Sequence, residues 1–244
     1  MGWKKIRIDF ATTVKCQFCP RHITSGKAVI VQHDNGMLSY AGPSCAKDPN
    51  KVDNPKEKII DVTKGCVEEH ISTKKEVKIA INTEQDENLP TSLDFDNYFD
   101  ENAAKAYLLL RFEKLAHIQK ISDFKSKKLN SIYQKYVIEN KISLDDEKYL
   151  SMVMHGKKYP EFTYKSLQSL YATDFWLRVF LEKKPEHKFI KSLLEQLHQN
   201  LSLSKPQMEK LNECFTEVKG MKITLKTNSF GQKKPLFIMG REFR

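Results

Sequence analysis

Residues 14–47 read VKCQFCPRHITSGKAVIVQHDNGMLSYAGPSCAK, and the N-terminal fold depends on how this stretch is punctuated. Cys16 and Cys19 stand in C-x2-C spacing, whose tight turn presents both thiols to one point. Residues 27–32 and 37–40 are β-prone, and Asp34, Asn35 and Gly36 between them tolerate the positive φ that a hairpin turn requires. The hairpin returns the chain to the knuckle. Gly42, Pro43 and Ser44 then predict a helix start with Cys45 in its first turn, where free backbone amides favour a thiolate.

A knuckle, a hairpin and a helix that returns a third ligand make a treble-clef arrangement. In these positions the chain resembles short bacterial and phage zinc-finger modules with C-x2-C, a hairpin and a terminal G-P-x-C-A, over roughly residues 14–48. The resemblance implies one structural Zn2+ and work connected with nucleic acids, without naming a reaction. Cys16, Cys19 and Cys45 leave a fourth ligand open. His22, beside the knuckle, is the first candidate; Asp48, three residues after Cys45, and Cys66 follow, and His33, at the far end of a strand, comes last. Cys214 falls on a helical pattern and reads as core.

Working outward, 244 residues allow one large or two small domains, and the longest strongly apolar run is far short of a membrane span. No apolar stretch of signal-peptide length follows Met1, and an odd number of cysteines argues for metal binding in a reduced compartment, so a cytoplasmic location is expected. The net charge is +10 and unevenly distributed. Residues 82–102 hold seven acids and no base, which marks a linker between a zinc module with short strands (1–81) and a helical domain with a basic C-terminal hairpin (103–244).

From Asn102 onward apolar residues recur at helical spacing. They predict a first helix through Tyr107, Leu110, Leu115 and Ile118, a second over 123–140, and a third opened by Ser143, with Asp145, Asp146 and Glu147 complementing its dipole. Helices over 161–183 and 186–200 follow, then one opened by the capping box Ser204-Lys205-Pro206-Gln207. The pieces repeat: Leu110-Arg111 corresponds to Leu177-Arg178, Phe124 to Phe189, Leu129 to Leu193, Ile142-Ser143 to Leu203-Ser204, and Leu150 to Leu211. A three-helix unit used twice is therefore expected, followed by a hairpin made of MKITLKT and PLFIMG. The fold class is α+β, mainly α.

The usual glycine-rich nucleotide motifs, G-x-S-x-G and H-E-x-x-H are absent from the sequence, so the chain reads as non-enzymatic. A basic chain with a zinc module suggests DNA or RNA binding through phosphate contacts. The candidate residues are Arg21, Lys27 and Lys47 in the finger, Lys125, Lys127 and Lys128 in the helical region, and Lys233, Lys234, Arg241 and Arg244 in the tail. The competing expectation is an adaptor that joins a protein component of a nucleic-acid machine. A third is a metal-dependent nuclease with His33 as general base.

Overall fold

The computed structural model describes residues 2–65, 99–124, 126–221 and 223–230. Strand β1 (Trp3–Phe10) is central to the N-terminal part, although nothing in the preceding reading assigned it. Its residues Ile6, Arg7, Ile8, Asp9 and Phe10 alternate apolar and polar, the period of a pleated strand. Strand β1 pairs antiparallel with β4 (Lys27–His33), with an irregularity between Lys5 and Arg7, and β4 pairs antiparallel with β5 (Leu38–Ala41). On its other edge β1 pairs parallel with β6 (Ile60–Asp61), giving the order β5-β4-β1-β6. The short strands β2 (Val14–Lys15) and β3 (His22–Ile23) form a separate two-stranded ribbon.

The expected hairpin turn is present: Gly36 adopts φ +88°, and its amide donates to the His33 carbonyl at 2.8 Å. The expected helix after Ser44 is only a 3-10 turn, Cys45–Lys47. Asp48 explains the stop. It precedes Pro49, whose ring pushes the preceding residue out of the helical region, and its backbone is extended at ψ 116°.

The sheet and the helices share a core. Phe10, Ile60 and Val62 are buried in one cluster with helical residues. The Phe10 ring lies 5.4 Å from those of both Tyr171 and Phe175 and 6.1 Å from Trp176. Beside it the buried Asp9 carboxylate accepts from the Tyr171 hydroxyl at 2.6 Å and from Arg7 Nε at 3.0 Å, and it pairs with Lys114. Burial opposes ionisation of Asp9, yet the Lys114 charge and the three side-chain donors outweigh it and hold the carboxyl below the usual carboxylate range.

Helices dominate the rest: α1 (Glu101–Leu109), α2 (Gln119–Asp123), α3 (Lys127–Glu139), α4 (Leu144–His155), α5 (Tyr164–Lys183), α6 (Lys188–Asn200) and α7 (Lys205–Thr216). Helix α1 runs into a π-helical turn, Leu110–Lys114, so the single predicted helix through Ile118 is divided. A 3-10 turn at Pro160–Phe162 likewise precedes α5, which begins after its cap Thr163.

The repeat is visible in element lengths and caps. Helices α3 and α6 both have 13 residues and both end on a left-handed residue, Asn140 at φ 53° and Leu201 at φ 55°. Helices α4 and α7 both have 12 residues and follow Ser143 and Ser204. At this constant shift the buried Leu129, Ile132, Leu150 and Met154 correspond to Ile190, Leu193, Leu211 and Phe215. The register thus pairs Leu193 with Ile132, not with Leu129. Gln207 accepts from the Ser204 amide at 2.8 Å, the reciprocal half of the expected capping box. Cys214 is buried in the helical core.

Among its described residues, the segment expected as the first strand of a terminal hairpin shows no strand, only an isolated bridge at Leu225. The Asn212 side chain satisfies this peptide from both sides: its Oδ1 accepts from the Leu225 amide at 2.9 Å and its Nδ2 donates to the Leu225 carbonyl at 2.7 Å. The returning half and most of the acidic linker lie outside the described residues.

Candidate metal centre

Two elements hold the knuckle. The ribbon β2–β3 closes the turn, and the Cys16 amide donates to the Arg21 carbonyl at 3.0 Å. The Gln17 amide donates to the Tyr40 carbonyl at 2.8 Å, tying the knuckle to β5, and the chain leaving β5 points the Gly42 amide at Cys16 Sγ at 3.5 Å. Cys45 then comes back on its 3-10 turn. The result is one group in which the sulfurs of Cys16, Cys19 and Cys45 all lie within 4.8 Å of one another.

The spacing fits a tetrahedral ion. With metal–sulfur bonds of about 2.3 Å, neighbouring sulfurs of a tetrahedron stand about 3.8 Å apart. Cys19 Sγ and Cys45 Sγ are 3.8 Å apart. Burial and the two neighbouring thiols push the Cys45 thiol up to about 11. Burial also opposes ionisation of Cys16, but the amides of Gly42 and Phe18 and the neighbouring thiols outweigh it and lower its pKa. Thiols pulled in opposite directions all become thiolates once a cation lies among them. These three cysteines can hold a metal ion.

His22, expected as the fourth ligand, does not join the group. The knuckle ends at Arg21, so His22 already belongs to β3, where alternation turns Ile23 inward and leaves His22 exposed. Asp48 is also outside the group: its carboxylate accepts from Lys51 Nζ at 2.8 Å and from the Asn50 amide at 3.0 Å. The Lys51 ammonium lies 3.9 Å from Cys45 Sγ. His33 ends β4 with its ring 5.0 Å from Trp3. Cys66 lies outside the described residues.

Of the basic candidates, Arg21, Lys27 and Lys47 are exposed around the finger, and Lys127 and Lys128 are exposed in the first turn of α3. Lys128 Nζ sits 4.5 Å over the Tyr149 ring. Lys125, Lys233, Lys234, Arg241 and Arg244 lie outside the described residues.

Sequence reading missed a second grouping, which joins His117, Asp174 and His198 from three separate elements. Since no two of them share a motif, only the packing of α5 against α6 and the chain before α2 unites them. Comparison of the whole chain with protein-family models, with curated proteins and with solved structures returns no match.

Proposed function

We propose that this chain is a non-enzymatic, zinc-containing accessory protein that binds DNA or RNA through its phosphate backbone. Zn2+ at Cys16, Cys19 and Cys45 would fix the finger, and lysines and arginines would make the contacts. The carrying observation concerns where the bases stand. Helices α3, α5, α6 and α7 have no acid in the first turn, and Lys127, Lys128, Lys165, Lys188 and Lys205 occupy those turns. A cation there opposes the helix dipole, a cost that an anionic ligand would relieve, although Lys205 also pairs with Glu209 at 3.8 Å and Lys128 lies over the Tyr149 ring. Arg21 and Lys47 add exposed positive charge in the finger. The test is binding of labelled single- and double-stranded DNA and RNA by Lys127→Ala/Lys128→Ala. The variant is expected to keep its helical content, to bind more weakly on every sequence and to lose up to about two units of salt slope. Unchanged binding by a folded variant rejects the role of these lysines.

A second reading, an adaptor that captures a protein component of a nucleic-acid machine, rests on one feature. Strand β5 is an edge of its sheet, and Met37, Leu38 and Tyr40 expose 51%, 54% and 39% of their surface beside it. Salt-tolerant capture of a protein partner, with no affinity for nucleic acid, would favour that reading.

A further inference from the structure

The Asp174 side chain is 4% exposed and sits in the middle of α5. Its Oδ1 is 2.6 Å from His198 Nε2, near the end of α6, and its Oδ2 is 3.1 Å from His117 Nε2, in the chain between the π-helical turn and α2. One helical turn along α5, Arg178 Nε donates to the same Oδ2 at 2.9 Å. The guanidinium already neutralises the buried carboxylate. Two imidazoles then bring the same type of nitrogen from two other elements, one to each carboxylate oxygen, so that the three possible ligand atoms lie within 4.8 Å of one another.

Both imidazoles also line an open cup of about 680 Å³, with Phe124, Tyr159 and Phe162 along its wall. The rings of Phe124 and Phe162 stack at 4.2 Å. Asp174 lies behind the cup. An ion among these three side chains would therefore be reachable from solvent on the side of the histidines.

We propose that His117, Asp174 and His198 form a second metal site, for a divalent transition-metal ion held by two imidazole nitrogens and one carboxylate oxygen. The donor set suits zinc or ferrous iron and is harder than the three thiolates of the finger. Bonds of about 2.0–2.2 Å place neighbouring ligand atoms of a tetrahedron about 3.3–3.6 Å apart. The 2.6 Å and 3.1 Å separations, which run to different carboxylate oxygens, would open by about 0.2–1.0 Å. Arg178 is the outer partner that orients the carboxylate, a role that metal-bound carboxylates require. Three protein ligands leave positions for exogenous ligands at the cup. The site stands independently of whether the chain binds nucleic acid.

The full chain, stripped of metal and reduced, is titrated with Zn2+ alone and with Co2+ alone, alongside His117→Ala/His198→Ala. These imidazole side chains are 38% and 29% exposed, so the double substitution spares the core, and circular dichroism checks its fold. The proposal expects one more bound equivalent in the parent than in the variant, for both ions. It also expects the thiolate-to-cobalt charge-transfer absorption of the cysteine site to be equal in the two proteins. A conservative His198→Gln variant should weaken the second equivalent by at least about tenfold, the usual scale for disturbing a metal ligand or its support. Equal stoichiometry in parent and double variant overturns the proposal and leaves the three residues as a hydrogen-bonded cluster. Loss of the thiolate absorption would instead count against the cysteine site, so the two failures are distinguishable.

Discussion

Replacing Tyr171 with Phe removes one hydroxyl from the contact that joins the sheet to the helices. That hydroxyl donates to Asp9 at 2.6 Å, and the Asp9 side chain is 5% exposed. Hydrogen bonds to charged groups contribute about 1.5–3 kcal/mol, and the phenyl ring keeps its packing against Phe10, so a loss in that range is expected. Asp9→Asn goes further, leaving Lys114 and Arg7 without their counter-charge. Breaking a buried pair costs about 3–5 kcal/mol, and the partial exposure of Lys114 and Arg7 puts the expected value at the lower end. The two changes share one network, so the double variant should lose about 0.5–3 kcal/mol less than the two singles together. Urea unfolding followed by far-ultraviolet circular dichroism at neutral pH measures all three. At this chain length each kcal/mol also corresponds to about 2–4 °C in thermal midpoint. A Tyr171→Phe protein within about 0.5 kcal/mol of the parent, and additive with Asp9→Asn, would refute the claim that this network docks the sheet on α5.

The same carboxylate sets a pH dependence. The folded pKa of Asp9 is lowered, so its contribution is present above the unfolded value of about 3.9 and lost as pH falls through the folded value. The stability gap between parent and Asp9→Asn should be flat from about pH 5 to 8 and narrow below about pH 4; a gap that widens on acidification contradicts this sign. Cys45→Ser should lose the ion that gives thiolate-to-cobalt absorption and raise amide exchange in residues 14–48 while helical circular dichroism persists; metal content equal to the parent would reject the three-thiol site. Gly26→Ala should destabilise by about 1–3 kcal/mol, because φ is +79° and the new Cβ would stand 2.6 Å from Ile223 and 3.0 Å from Trp176. Gly36→Ala, at φ +88° with open space around it, should cost only the backbone part, about 1–2 kcal/mol, and equal losses at the two glycines would remove the steric argument.

The sequence carried much of this because several signals were local. The C-x2-C spacing, the Asp34-Asn35-Gly36 turn and the capping box each specify their own backbone, and each appears where its chemistry requires. The repeat was legible through Ser143 and Ser204, but its register was misread at Leu129 because leucines at helical spacing match at more than one offset. Strand β1 alternates visibly from Ile6 to Phe10, yet its importance comes from partners distant in the chain, Ile60 and Tyr171. His22 followed the knuckle in sequence but falls outward by strand alternation, which spacing from Cys19 alone does not express. His117, Asp174 and His198 had no local signal, since three elements must pack before their side chains meet.

The most direct measurement of the central claim is the affinity of the purified, metal-loaded full chain for labelled single- and double-stranded nucleic acid between about 50 and 200 mM salt. Phosphate contact by the lysines and arginines predicts log affinity falling linearly with log salt, by about 0.7–0.9 for each phosphate neutralised. Absence of binding at the lowest salt, or an affinity that salt leaves unchanged, would contradict the account.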